Sequence, residues 1–197
     1  MGMSHGGSME KDCNVYAETI NIPYIFSNPK MFPSPATCPA QAGLVDIVPT
    51  LLGLLGQPPG SSEVQGTDLS ALITDPSGTP PTNCSIFTYD DSNPWHIRAI
   101  QADAGAVTVN GQPTTSPYKY AVYYLLNNKN VVDTPWLQYE LYVPGQDDEI
   151  TNLQRANTDV QAALHTLLTE RMAAIDTTGP TGGGKVTPDG WPTAPPA

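Results

Sequence analysis

Between residues 84 and 144 the chain repeats one pattern four times. The segments "CSIFTYDD" (84–91), "HIRAIQAD" (96–103), "YKYAVYYLL" (118–126) and "QYELYVP" (138–144) are short and rich in Tyr, Ile, Val and Phe, and turn residues such as "NNKN" separate them. This is how short strands read, and their spacing suits an antiparallel meander. A single helical pattern follows from about residue 152 to 175, with Val160, Leu164, Leu167, Leu168, Met172 and Ile175 at helical spacing. One amphipathic helix laid on a four-stranded antiparallel sheet is a stable two-layer unit. Residues 82–176 are therefore expected to form an α+β C-terminal subdomain, with the face carrying Val160, Leu164, Leu168, Met172 and Ile175 on the sheet.

The preceding residues, 1–81, read differently. "INIPYIFSN" (20–28) is a nearly continuous apolar run ending at Asn28-Pro29, the pattern of a strand buried on both faces of a parallel sheet. Pro23 places its regular part toward the C-terminal end. "LVDIVPTLLGLLG" (44–56) predicts a short helix with Asp46 as N-cap, Pro49 in the first turn and Gly56 at its end. It is apolar on all sides, so it is expected to pack into a larger body. A parallel strand needs crossover-connected neighbours, and too few residues precede Ile20 to supply one. Residues 1–81 are thus expected to be the strand-and-helix remnant of an α/β domain, leaving an exposed apolar patch around Tyr24, Phe26, Leu51 and Leu54.

The tail 177–197, "TTGPTGGGKVTPDGWPTAPPA", has no apolar period and is expected to be disordered. The 8 basic and 19 acidic residues give a net charge of −11. That argues against nucleic acid and anionic membranes as partners. No apolar run reaches the roughly 18 residues of a membrane span, and the first residues lack the apolar core of a secretory signal. Cys13, Cys38 and Cys84 are scattered and never in C-x-x-C spacing. Free thiols, or at most one bridge, are expected rather than a zinc site.

Several short motifs stand in a distinctive order: "HGGSMEK" (5–11), "VYAETINIPYIFSNP" (15–29), "DIVPTLLGLLG" (46–56), "HIRAIQAD", "YKYAVYY" and "QYELYVPGQDDEITNL". Each is weak alone. Together, over residues 5–153, the chain resembles the C-terminal part of a type I sulfatase, a sulfuric ester hydrolase family of the alkaline-phosphatase-like superfamily. The resemblance implies a formylglycine nucleophile made from Cys or Ser in Cys/Ser-x-Pro/Ala-x-Arg, acting beside a bound calcium ion. This chain departs from that pattern. Cys38 opens "CPAQA", with Ala42 where Arg is required, and Ser27 and Ser92 open "SNPKM" and "SNPWH", also without it. The family's Asp pair and its Asp-Asn or Asp-His metal pair are missing as well. No catalytic residue and no metal ligand is therefore assigned, and calcium belongs to the complete enzyme only.

The resemblance makes Lys11 the ammonium that holds the sulfate oxygens and His5, in "SHGGS", a second sulfate contact or proton donor. Tyr16 and Glu18 would orient Lys11. One ammonium at about 4 Å supplies about 4 kcal/mol at an effective dielectric near 20, against the roughly 8–23 kcal/mol of enzymatic acceleration. Alone, the chain is expected to be inactive. The acidic pairs Asp90–Asp91 and Asp147–Asp148 read as solvated surface, and His96, His165 and the tyrosines of "YKYAVYY" as structural. Three readings stay open: a sulfatase-family region that acts on a sulfate ester within the whole enzyme, a stand-alone binding module, and a phosphoester hydrolase fragment of the same superfamily. For an incomplete domain, self-association through exposed apolar surface is a further expectation.

Overall fold

The computed structural model describes residues 13–57, 64–90, 95–178 and 185–196. Its elements in chain order are α1 (Ala17–Ile20), α2 (Ile47–Leu54), α3 (Ser70–Thr74), β1 (Cys84–Tyr89), β2 (His96–Ala102), β3 (Thr108–Val109), β4 (Gln112–Pro113), β5 (Tyr118–Tyr124), β6 (Gln138–Tyr142) and α4 (Thr158–Thr178). Strands β1, β2, β5 and β6 form one antiparallel sheet in that order. The small β3–β4 hairpin sits between β2 and β5, with Asn110 and Gly111 at positive φ in its two-residue turn, as such tight connections require.

Helix α4 covers one face of the sheet. Leu164, Leu168 and Met172 are buried against Ile100, Tyr120, Val122, Tyr139 and Leu141, with Val160 and Leu167 at the margin. The expected four-stranded sheet and C-terminal helix are therefore present, as an α+β unit. The helix begins at Thr158 rather than near 152. The Asn152 side chain instead caps the β6 edge, accepting from the Leu141 N–H at 3.0 Å and donating to the Tyr139 carbonyl at 3.0 Å.

The second sheet face is covered too. Val15, fully buried, packs with Ile97, Ala99, Ala121 and Tyr123, flanked by Cys13, Phe87, Tyr89 and Trp95. Central strand β5 thus has cover on both sides, which is why it is apolar or aromatic at nearly every position.

Three expectations need correction. Residues 21–28 form no strand: α1 ends at Ile20, and Ile25 is 83% exposed. A strand is held by ladder bonds to a neighbour, and none of the described residues supplies one there. Asp46 does not cap its own helix. It ends a 3-10 turn (Leu44–Asp46), and its buried carboxylate accepts the N–H groups of Gly43 and Thr67, each at 2.7 Å. This draws residues 65–67 against the start of α2, where Gly66 at φ +93° passes so close to the Val45 carbonyl that no side chain would fit.

The third correction concerns the tail. Residues 185–196 are packed. Trp191 stacks on His165 (5.5 Å, 2° between planes), meets Tyr124 edge-on and donates its indole N–H to the Thr169 hydroxyl at 2.9 Å. The Val186 carbonyl accepts from Arg98 Nε at 2.7 Å, and the Asp176 carboxylate accepts from the N–H groups of Val186 and Thr187. Composition missed this because one aromatic anchor and a few backbone bonds suffice where the receiving surface is already folded.

The expected apolar patch has shifted. Tyr24, Phe26 and Leu54 are half-buried, whereas Leu44, Val48, Leu51 and Leu55 form an exposed stripe along α2, with Val45 beside it. Such a stripe is larger than the single exposed apolar residues a monomer normally carries.

Candidate functional site

His5 and Lys11 lie outside the described residues. Tyr16 and Glu18 can be placed. The Tyr16 ring lies 6.0 Å from that of Tyr142, and Glu18 is exposed in the first turn of α1. They border a buried polar cluster on the sheet face opposite α4.

Alternation builds that cluster. On β5, Lys119 and Tyr123 point away from α4; on β6, Tyr142 stands opposite Lys119, and Glu140, opposite Ala121, lies on the same face between them. Glu149 arrives from the following turn, where Asp147, Asp148 and Glu149 all hold positive φ (45°, 50° and 60°). Three successive non-glycine residues in the left-handed region are costly and persist only where the surroundings impose them. Here the turn aims Glu149 inward. The Lys119 ammonium sits 2.5 Å from both carboxylate oxygens, aligned for a hydrogen bond to Oε2. The same Oε2 accepts the Ala17 N–H at 2.9 Å. Beside it the Tyr123 hydroxyl donates to Glu140 Oε2 at 2.7 Å.

Electrostatics follow from burial. Desolvation raises the Glu140 carboxyl above its usual range, against the opposing pull of Tyr123, Tyr142 and Lys119. Desolvation likewise lowers Lys119, while Glu149 opposes it. Tyr123 and Tyr142 are pushed well up by burial and by the charge of Glu140. Glu149 pairs with the buried ammonium, and the half-buried Glu140 beside them feels its charge. The arrangement ties Ala17, and with it Val15 and Tyr16, onto the sheet; it offers no nucleophile.

A second group lies on the α4 face. Arg98, 4% exposed, is paired bidentately with Asp90 at 3.0 and 2.9 Å and stands over the Tyr124 ring at 5.6 Å. His96 Nδ1 lies 2.8 Å from the same carboxylate and its ring stacks on Tyr124. Burial works against the charged form of Asp90, but Arg98 and His96 outweigh it and hold the carboxyl below its usual range. Asp90 is therefore more than solvated surface, while Asp147 and Asp148 are exposed. Asp91 lies outside the described residues. His165 is buried, receives the Tyr120 hydroxyl at Nδ1 (3.0 Å) and bonds the Pro192 carbonyl through Nε2 (2.7 Å). Burial lowers its pKa.

Calcium does not fit these residues. It takes six to eight oxygen ligands, and among the described residues no three His, Cys, Asp or Glu converge. Of the nearby carboxylates Glu140 and Glu149, the second is already taken by the Lys119 ammonium. None of Cys13, Cys38 and Cys84 is in a disulfide, and Cys84 is buried. A cleft of about 690 Å3 between residues 24–42 and Leu69, Leu72, Ile73 and Pro76 is lined without a single charged side chain.

Lys119, Glu140 and Glu149 were missed in the sequence. The signal was present in "YKYAVYY": a lysine inside a strand whose neighbours on both faces are apolar must be buried, and a buried ammonium needs a carboxylate. No helix of the described residues is long and apolar enough to cross a membrane. Comparison of the chain with protein-family models, with curated proteins and with solved structures found no match.

Proposed function

We propose that this chain is the C-terminal region of a type I sulfatase, taking part in sulfate ester hydrolysis only within a complete enzyme. The carrying observation is the ordered set of motifs from "HGGSMEK" to "QYELYVPGQDDEITNL". It is supported by the exposed stripe Leu44, Val48, Leu51 and Leu55 on α2, which has the character of a surface made to be covered. In this reading Lys11 and His5 contact the sulfate oxygens. Tyr16 stands beside them in sequence, on the segment that Glu149 and Lys119 fasten to the sheet. The nucleophile, calcium and its ligands come from elsewhere in the enzyme.

Two measurements test the reading. The purified chain should not turn over an aryl sulfate with calcium present; saturable hydrolysis abolished by Lys11→Ala would overturn the claim of inactivity. The gene should carry, upstream of Met1, a frame encoding Cys/Ser-x-Pro/Ala-x-Arg and an Asp-Asn or Asp-His pair. A stop codon there in every reading frame would overturn the sulfatase assignment.

A further inference from the structure

The two edges of the main sheet are treated differently. On β6 most of the outward backbone groups are satisfied: Asn152 serves Leu141 N–H and Tyr139 carbonyl, and the Leu153 N–H donates to the Leu141 carbonyl at 2.8 Å. On β1 the parity can be worked out. The Asp103 N–H donates to the Asn83 carbonyl, so that pair is of the hydrogen-bonded type. With the observed register, Ser85, Phe87 and Tyr89 then bond to β2, while Cys84, Ile86 and Thr88 turn their N–H and carbonyl groups outward. Thr82 serves both groups of Cys84. The outward groups of Ile86 and Thr88 have no hydrogen-bond partner among the described residues. The strand, "CSIFTY", carries no proline or charged residue, the usual means of blunting an exposed edge.

This open edge forms one side of a cleft of about 480 Å3. On the α4 side stand Ala174, Ile175 and Val186; on the other, Gln41, which bonds Ser85 and Gln101 on the far sheet face, and Gly66. Arg171 lines it as its only basic residue and is exposed, with no carboxylate partner among the described residues. Lining residues stand on both sides of the edge, so an incoming strand is received between them.

We propose that the β1 edge is a docking site for an extended peptide strand of a partner protein. Its backbone pairs with Ile86 and Thr88, its alternate apolar side chains face Ala174, Ile175 and Val186, and a carboxylate meets Arg171. Strand addition of this kind takes its affinity from main-chain bonds and its specificity from alternate side chains. It is independent of the sulfatase assignment.

The probe is a fluorescein-labelled heptapeptide, Thr-Val-Thr-Val-Thr-Val-Glu, added to the full chain. Expected are a saturable anisotropy rise and at least tenfold slower hydrogen exchange at the Ile86 and Thr88 amides. Thr88→Pro deletes an outward N–H that makes no bond to β2, and proline is tolerated at sheet edges. It should weaken binding at least tenfold with an unchanged circular dichroism spectrum. Should that variant fail to fold, the same peptide N-methylated on alternate residues tests the same bonds on the native protein, and it should not bind. Arg171→Glu should weaken binding severalfold. Binding indifferent to N-methylation would overturn the proposal. So would slow exchange at Ile86 and Thr88 in the free monomer, or a peptide-free dimer in which those two amides become protected.

Discussion

The Lys119–Glu149 pair offers the sharpest test of the packing described above. Both side chains are almost fully buried (1% and 3% exposed). At 2.5 Å the gross attraction is about 7 kcal/mol at an effective dielectric near 20, most of it offset by the desolvation of both ions. Removing one partner forfeits the attraction and leaves the other charge stranded. Glu149→Gln keeps the shape and the acceptor for Ala17 but strands the ammonium, so it should cost about 3–5 kcal/mol. Lys119→Met should cost a similar amount. The double variant Lys119→Met/Glu149→Gln leaves neither member of the pair charged alone and keeps the Ala17 acceptor; it gives up the pair's hydrogen bond and the ammonium's pull on Glu140, about 1–3 kcal/mol. Equilibrium urea unfolding of all four proteins at pH 7 gives the coupling directly. There is also a pH signature. An unpaired Lys119, its pKa already lowered by burial, can shed its proton as pH rises, so the Glu149→Gln deficit should narrow between pH 7 and about pH 9. Single variants that each cost under about 1 kcal/mol, or costs that simply add in the double variant, would refute the buried pair.

Three further outcomes are expected. Leu164→Ala and Leu168→Ala, at fully buried positions on α4, should each cost about 2–5 kcal/mol in the same assay. Trp191→Ala should cost about 1.5–3 kcal/mol, since the ring is only half-buried. Truncation after Lys185 should cost at least as much, because it also takes the Val186 acceptor from Arg98; a truncated chain as stable as the parent would show the tail to be ornamental. Acid should loosen the same tail. His165 and Asp176 both have depressed pKa values, so each contributes stability above its ordinary pKa that is lost as pH falls through its lowered one. In a Trp95→Phe/Trp136→Phe background, Trp191 emission should move to the red first below about pH 6 and again below about pH 4. Asp176→Asn should remove the second step.

The sheet was legible because each strand announces itself locally: a β-branched or aromatic run bounded by turn residues. The expected strands at 84–91, 96–103, 118–126 and 138–144 start where the observed ones do and overrun them by two residues or fewer. Leu164, Leu168 and Met172 were legible for the same reason, as a period along one helix. What failed depends on partners distant in sequence. "INIPYIFSN" has the composition of a buried strand, yet no described residue offers it a ladder. The tail has the composition of a linker, yet Trp191 finds His165, 26 positions earlier. Glu149 looked like part of an acidic turn until the backbone at 147–149 swung it inward to Lys119, 30 positions away. Tyr16 and Glu18 were singled out to orient Lys11; what the fold displays at that place is a carboxylate from the far end of the sheet fastening the backbone between them.

The bond from Arg98 to the Val186 carbonyl joins positions 88 apart. It sets an order of events during synthesis. A chain is made from its N-terminus, and domains begin to fold as they emerge. Strands β1, β2, β5 and β6 can pair before residue 186 exists. Through that interval Arg98 holds Asp90 and the Ile97 carbonyl, but its Nε still waits for an acceptor, and the Tyr124 edge stays bare until Trp191 arrives. Emergence of residues 186–191 is therefore the step that seals this face, and until then the folded sheet carries an open, guanidinium-lined seam.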